Sequence, residues 1–190
     1  MSLLDDVSIV VTPNGYKAGE LYAVIPTPVY GTELVDCGNF ECAVPTDEWT
    51  PFGSTFVVSN ANPYNGNDTA LFTASGVNGA KVTQSISTVV GNTYHFSCYA
   101  QYNSGDITHI EIEGVLEYPN GLEVSNSLNT WTYLETSFTA TSTTSIVAVR
   151  ERGGNNNASC YLYGISVKEE ITASADMDVT RATAATRVDE

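Results

Sequence analysis

The chain has 190 residues, 42% of them hydrophobic with 11 Tyr and 6 Phe, which is enough for a buried core and excludes global disorder. Its 22 acidic and 7 basic residues leave a net charge of −15. The basic residues, Lys17, Lys81, Arg150, Arg152, Lys168, Arg181 and Arg187, form no run or stripe, so no nucleic acid and no anionic membrane surface is expected as a partner.

No apolar run approaches the ~20 residues of a membrane span, and no membrane insertion is expected. The start, Met1-Ser2-Leu3-Leu4-Asp5-Asp6, is acidic and lacks the basic-then-apolar order of a signal peptide, so synthesis in a cytoplasm without general export is expected. The length fits one domain with appendages, or two very small ones.

Residues 1–30 carry two strand-like runs, Val7 to Thr12 and Glu20 to Ile25, around the turn signal Pro13-Asn14-Gly15. Pro26 and Pro28 end that unit. Residues 31–170 then alternate with period 2. The runs are Thr55 to Ser59, Thr69 to Ala74, Ala80 to Ser87, Asn92 to Tyr102, Thr108 to Glu113, Thr130 to Thr139, Ser145 to Arg150 and Ser159 to Val167. Runs of this length separated by Gly, Asn, Ser and Pro predict an antiparallel sandwich or barrel. Gly153-Gly154 and the three Asn that follow read as a hairpin turn. Residues 171–190 are Thr- and Ala-rich with too little apolar surface for a core, and the natural chain is expected to continue beyond Glu190.

With no export signal, the expectation is four reduced thiols at Cys37, Cys42, Cys98 and Cys160, with a Cys37–Cys42 disulfide as the alternative. Two scattered histidines do not supply a zinc site. The sequons at Asn67 and Asn157 matter only in a glycosylating compartment.

The order of motifs in the central block resembles the jelly-roll carbohydrate-binding modules of the family 4/9/22 type. Leu34 to Glu41 is similar to that family's opening, with Trp49 following. Ala70-Leu71 and Ala80-Lys81-Val82-Thr83-Gln84-Ser85-Ile86 resemble its next strands. Gly91 to Ala100, Trp131 with Ser137-Phe138-Thr139-Ala140, and Tyr161 to Val167 complete the succession over about 135 residues. The resemblance implies an all-β jelly-roll β-sandwich with short strand-like N- and C-terminal extensions. In that family a calcium ion is often held by the opening Glu and an Asp near the last strand. Glu41 is the only candidate calcium ligand here, because Tyr163 and Gly164 stand where the acidic pair would be. No other cofactor is implied.

The flanks resemble a different group. Ser2 to Lys17 with Leu21 to Pro26, and Asp178 to Val188, are similar to structural proteins of tailed bacteriophages. That likeness implies a virion structural protein, a head fibre, capsid decoration protein or tail-associated adhesin. It would be attached to other virion proteins through residues 1–30 and 171–190, and a homo-oligomer, with a trimer favoured, is expected. The displayed module would meet host-surface glycans. The alternatives are a free-standing carbohydrate-binding module and a small glycoside hydrolase.

The candidate carbohydrate-binding residues are Tyr64, His95, Tyr99, Gln101, His109, Glu111 and Glu113. Rings stack on the C–H faces of sugars, and amides and carboxylates bond hydroxyls. The residues from His95 to Glu113 share one surface only if their two strands are neighbours. Otherwise they are ordinary polar alternation. Tyr64 sits with Asn65, Asn67 and Asp68 in a polar stretch read as a loop, where contact with a glycan competes with plain packing. Trp49 and Trp131 read as core or edge anchors. Glu111 and Glu113 are i,i+2 on one strand, within the range of paired glycosidase carboxylates but on one side of any sugar, so no catalytic residue is expected. No nucleophile elbow accompanies His95 or His109, and no phosphate-binding glycine loop is present. Arg150 and Arg152, with Arg181 and Arg187, are expected either in solvent or on carboxylates of a neighbouring subunit.

Overall fold

Period-two alternation places apolar side chains on one side of each strand, and two such sheets then close on each other. The computed structural model describes residues 29–42, 47–152 and 157–171, and the expectations for residues 1–28, for the turn at 153–156 and for residues 172–190 fall outside them. Among the described residues the strands are β1 (Val29–Glu33), β2 (Thr50–Phe52), β3 (Ser54–Tyr64), β4 (Asn67–Ala74), β5 (Lys81–Ser87), β6 (Thr93–Ser104), β7 (Thr108–Ile112), β8 (Leu122–Val124), β9 (Thr132–Thr139), β10 (Thr144–Glu151) and β11 (Ser159–Ile171). No helix occurs among them.

Sheet A has the order β3-β4-β11-β6-β9, with β1 added beside β11. Sheet B has the order β2-β5-β10-β7-β8. From β5 onward the chain passes back and forth between the sheets, which makes the molecule an all-β jelly-roll sandwich. Tyr30–Ile171 form one compact unit.

The core lies between the sheets. Phe72, Tyr94, Phe96, Leu162, Ile165 and Val167 of sheet A face Val82, Ile110, Ile112, Val147 and Val149 of sheet B, all essentially excluded from solvent. Trp49 is buried in this core against Phe56, their rings 5.4 Å apart. Gln84 is also buried on the inner face of β5. Its side chain clamps the backbone of Asp36, with Oε1 accepting from Asp36 N at 2.8 Å and Nε2 donating to Asp36 O at 2.9 Å. That pairing satisfies a polar group that would otherwise be costly to bury.

Two departures from the sequence reading bear on function. First, β6 and β7 are not neighbours. β6 pairs with β11 and β9, whereas β7 pairs with β10 and β8. The crossing begins at Gly105, where φ is +83° and an added Cβ would lie 1.9 Å from the Asn157 carbonyl oxygen. Only glycine meets both demands. Second, Cys37 and Cys42 form a disulfide, while Cys98 and Cys160 are free and buried. Burial pushes both free thiols upward, which leaves them unreactive.

Candidate functional site

The outward face of sheet A collects aromatic rings from separate strands. On β6, Tyr94, Phe96, Cys98 and Ala100 turn inward, so His95, Ser97, Tyr99 and Gln101 turn outward. Antiparallel register sets Tyr133 of β9 opposite Tyr99 and Glu135 opposite Ser97. On the other side, Tyr163 of β11 stands opposite Tyr99, and Tyr161 opposite Gln101. A bulge between Tyr163 and Ser166 adds one residue at Gly164-Ile165. It lets Ile165 turn into the core while Tyr161 and Tyr163 stay on the outer face.

Tyr64 reaches the same place from β3. The residues around it do not form an open loop. Tyr64 ends β3, Asn67 begins β4, and Asn65 and Gly66 form a two-residue turn with φ of 49° and 87°. Positive φ at both central positions is the hairpin geometry that Asn-Gly favours.

The rings are in mutual contact. Tyr64 lies 4.4 Å from Tyr99, 5.0 Å from Tyr163 and 5.3 Å from Trp131, and Tyr99 lies 4.9 Å from Tyr133. The Tyr133 hydroxyl is 3.4 Å from His95 Nε2, and the His95 ring lies 4.8 Å from Tyr30. Tyr64, Tyr99, Tyr163 and Trp131 are half-buried in this strip, while Tyr30 and Tyr133 remain 41% and 45% exposed. The inner rings brace one another, and the outer two offer free ring surface.

Amides and carboxylates border the strip. Asn62 Nδ2 donates to Gln101 Oε1 at 2.5 Å, and Gln101 Nε2 donates to the Asn129 carbonyl at 2.9 Å. Asn67 Nδ2 donates to the Tyr163 hydroxyl at 3.1 Å, and that hydroxyl donates to Glu41 at 3.3 Å. Glu135 approaches His95 Nε2 at 3.4 Å. The Tyr99 hydrogen bond, then partial burial, raise the Tyr64 phenol above its ordinary value. Burial first raises Tyr133 and Tyr163. The phenols therefore stay neutral donors near pH 7. Beside Tyr163 a surface cavity of about 520 Å³ opens between Phe40, Glu41 and Cys42 on one side and Gly66, Asn67 and Asp68 on the other.

Four of the seven sequence-derived candidates, Tyr64, His95, Tyr99 and Gln101, meet on this face. His109, Glu111 and Glu113 do not join them, because β7 belongs to sheet B. The Glu111 side chain has no solvent access. It takes Arg152 Nε at 2.8 Å, Arg152 NH2 at 2.6 Å and the Tyr118 N–H at 3.1 Å. Glu113 is paired with Arg150 and with Lys81, the latter at 2.6 Å. Arg150 and Arg152 thus bind carboxylates of their own chain, and the two glutamates are engaged as ion-pair partners. His109 is fully buried with the Tyr118 ring edge-on at 5.0 Å. Burial lowers its value, against the upward pull of Glu111 and Glu123.

Glu41, the candidate calcium ligand of the sequence, is hydrogen-bonded on both carboxylate oxygens. Its two oxygens accept from Tyr163 and from Asn39 Nδ2, and no group of three His, Cys, Asp or Glu able to hold a metal occurs among the described residues. A calcium ion takes about 6–8 oxygen ligands. The strip residues that the sequence does not single out are Tyr30, Tyr133 and Tyr163, together with Trp131, whose pattern suggests an anchor. Tyr133 alternates visibly with Trp131 and Glu135, and that was its one signal.

A family model described as a carbohydrate binding domain matches residues 32–157. A comparison with curated protein sequences returns no match. Among solved structures, the CBM22-1 xylan-binding domain of Xyn10C from Paenibacillus barcinonensis is 15% identical with a TM-score of 0.56, covering 75% of this chain and 97% of that domain. A CBM61 domain in complex with β-1,4-galactotriose is 13% identical with a TM-score of 0.52, covering 74% of this chain and all of that one, 100%. An arabinose-bound α-L-arabinofuranosidase of type GH51 is 12% identical with a TM-score of 0.55, and the match covers 74% of this chain but only 27% of the enzyme. At these identities the likeness is one of fold.

Proposed function

Because this chain belongs to the carbohydrate binding domain family, we propose that it binds a glycan, without catalysis, across the aromatic strip on the outward face of sheet A. The observation that carries the reading is the run of contacting rings from Tyr163 through Tyr64 and Tyr99 to Tyr133, bordered by Asn62, Gln101, Asn67 and Glu41. Sugars present C–H faces that rest on ring surface and hydroxyls that bond amides and carboxylates. The hydrogen bonds within the border hold those amides in place before a ligand arrives, which lowers the ordering cost of binding. The separation of Glu111 and Glu113 from this face, each in ion pairs, supports binding over hydrolysis.

Titration calorimetry against soluble β-1,4-linked glucan, xylan and galactan tests this. Affinity for at least one is expected, and Tyr99→Ala should weaken it by about thirtyfold, the scale of a central interface residue. A blank panel, or an affinity indifferent to Tyr99→Ala and Tyr133→Ala together, rejects the site. Attachment of the module to a virion through residues 1–30 and 171–190 is part of the proposal and rests on the sequence of those segments. Particles without stoichiometric amounts of this chain would remove it.

A further inference from the structure

The two outward faces divide the positive charge unequally. Among the described residues the cations are Lys81, Arg150, Arg152 and Lys168. The first three are held on sheet B by Glu111 and Glu113. Only Lys168 stands on the aromatic side, and it lies 3.8 Å from Glu33. Around the rings the carboxylates stand in series. Glu41 accepts from the Tyr163 hydroxyl, Glu135 faces His95, Glu170 accepts from the Ser137 hydroxyl, and Glu33 accepts from the Ser166 hydroxyl at 2.6 Å. Asp68 joins Glu41 in lining the cavity beside Tyr163.

Resting on the glycan reading of this face, we infer that the face selects its ligand by charge. It admits neutral sugars and those carrying amino groups, and it turns away sugars carrying carboxylate or sulfate groups. Receiving an anionic substituent calls for an arginine fork or another charged donor. Both described arginines are on the opposite sheet and already occupied. A carboxylate placed along the strip would meet Glu41, Glu135 or Glu170 with no described cation but Lys168 to offset them. An ammonium group in the cavity by Tyr163 would instead find two carboxylates and the Asn67 side chain.

The test uses one neutral polysaccharide, whichever binds most tightly in the panel above, in three derivatives of matched substitution. These are hydroxyethyl (neutral), carboxymethyl (anionic) and aminoethyl (cationic). Calorimetric titration into the full chain at low salt should show the carboxymethyl form binding about tenfold more weakly than the hydroxyethyl form, and the aminoethyl form about tenfold more tightly. Both ratios should shrink toward one at about 0.5 M salt, where screening is short-ranged. The overall charge of −15 pushes in the same direction, so the deciding arm is local. The variant Glu41→Gln, Glu135→Gln, Glu170→Gln should bring the carboxymethyl-to-hydroxyethyl ratio close to one. A variant with the same charge change away from the strip, in the crossing from β6 to β7 and on the sheet B side, Asp106→Asn, Glu117→Gln, Glu123→Gln, should leave that ratio as in the wild type. Equal discrimination by both variants overturns the inference and leaves the glycan site standing. Failure of the wild type to bind the hydroxyethyl form at all removes the glycan site itself.

Discussion

On sheet B, Glu111 and Glu113 meet Arg150, Arg152 and Lys81, and Tyr118 folds over them with its N–H on Glu111 and its ring on His109. On sheet A, Tyr64, Tyr99, Tyr133 and Tyr163 lean on one another, and Tyr133 stays largely exposed. Both faces place polar and aromatic residues outward at period 2. The difference lies in what their neighbours supply. Opposite charges across strands satisfy each other and leave little for a ligand. Rings beside rings keep edges, hydroxyls and outer surfaces available. A polar strand face becomes a candidate site only where cross-strand partners leave it unsaturated.

The sharpest way to test this contrast is to break the sheet B pairing. Arg152→Ala leaves Glu111, whose side chain is inaccessible, without its two-point partner. Loss of one partner of a buried pair typically costs about 3–5 kcal/mol. Urea unfolding of Arg152→Ala should show a loss on that scale, and adding Glu111→Gln should recover part of it. Glycan affinity of the folded variant should stay within about twofold. A variant with ordinary stability but poor glycan binding would reverse the roles assigned to the two faces.

Next in size is the Cys37–Cys42 bridge, with a sequence separation of 5. The chain-entropy model puts a loop this short at about 2 kcal/mol. The double variant Cys37→Ser, Cys42→Ser should lose about that much in urea unfolding. It should also weaken glycan binding modestly, because the loop carries Phe40 into the core and Glu41 to the Tyr163 hydroxyl. Unchanged affinity would detach Glu41 from the site.

Within sheet A, an exposed ring and a packed ring should separate binding from stability. Tyr133→Ala should cost about 1 kcal/mol of binding, roughly fivefold, with less than about 0.5 kcal/mol of stability. Tyr64→Ala removes contacts with Tyr99, Trp131 and Tyr163 and should lower both. Equal stability losses from the two would mean the strip is ordinary packing.

The sandwich was readable because period 2 is a local signal. Each run from Thr55 to Val167 lies in a strand of the structure, with ends displaced by a few residues. The short strands β1, β2 and β8 were not readable. Each has at most five residues, and β2 holds Pro51, which a sheet tolerates at its edge position beside β5. The site was half readable. Tyr99 and Gln101 followed from alternation on β6, but which strand lies beside β6 depends on long-range pairing that no local pattern encodes. The same limit leaves open in the sequence whether His109, Glu111 and Glu113 share that face, and the structure puts β7 in the other sheet. The polar residues around Tyr64 suggest a loop although Asn65-Gly66 carries the hairpin signal, and the place of Tyr163 in the closing strand does not disclose its ring contact with Tyr64.

His109 gives the smallest and most selective probe of the covered face. It is fully buried, and burial lowers its value below the ordinary one, with Glu111, Glu123 and Arg152 as the charged groups around it. In the unfolded chain the imidazole takes a proton near pH 6.5, whereas in the folded chain it stays neutral to lower pH. The unfolded state therefore binds more protons below that pH, so the stability contribution is complete above about pH 6.5 and falls as the solution is acidified. The informative quantity is the wild type minus His109→Gln. That difference should decline from pH 7 to pH 6 in urea unfolding. A flat difference would mean that the imidazole accepts its proton inside the fold and that sheet B is less closed than its burial implies.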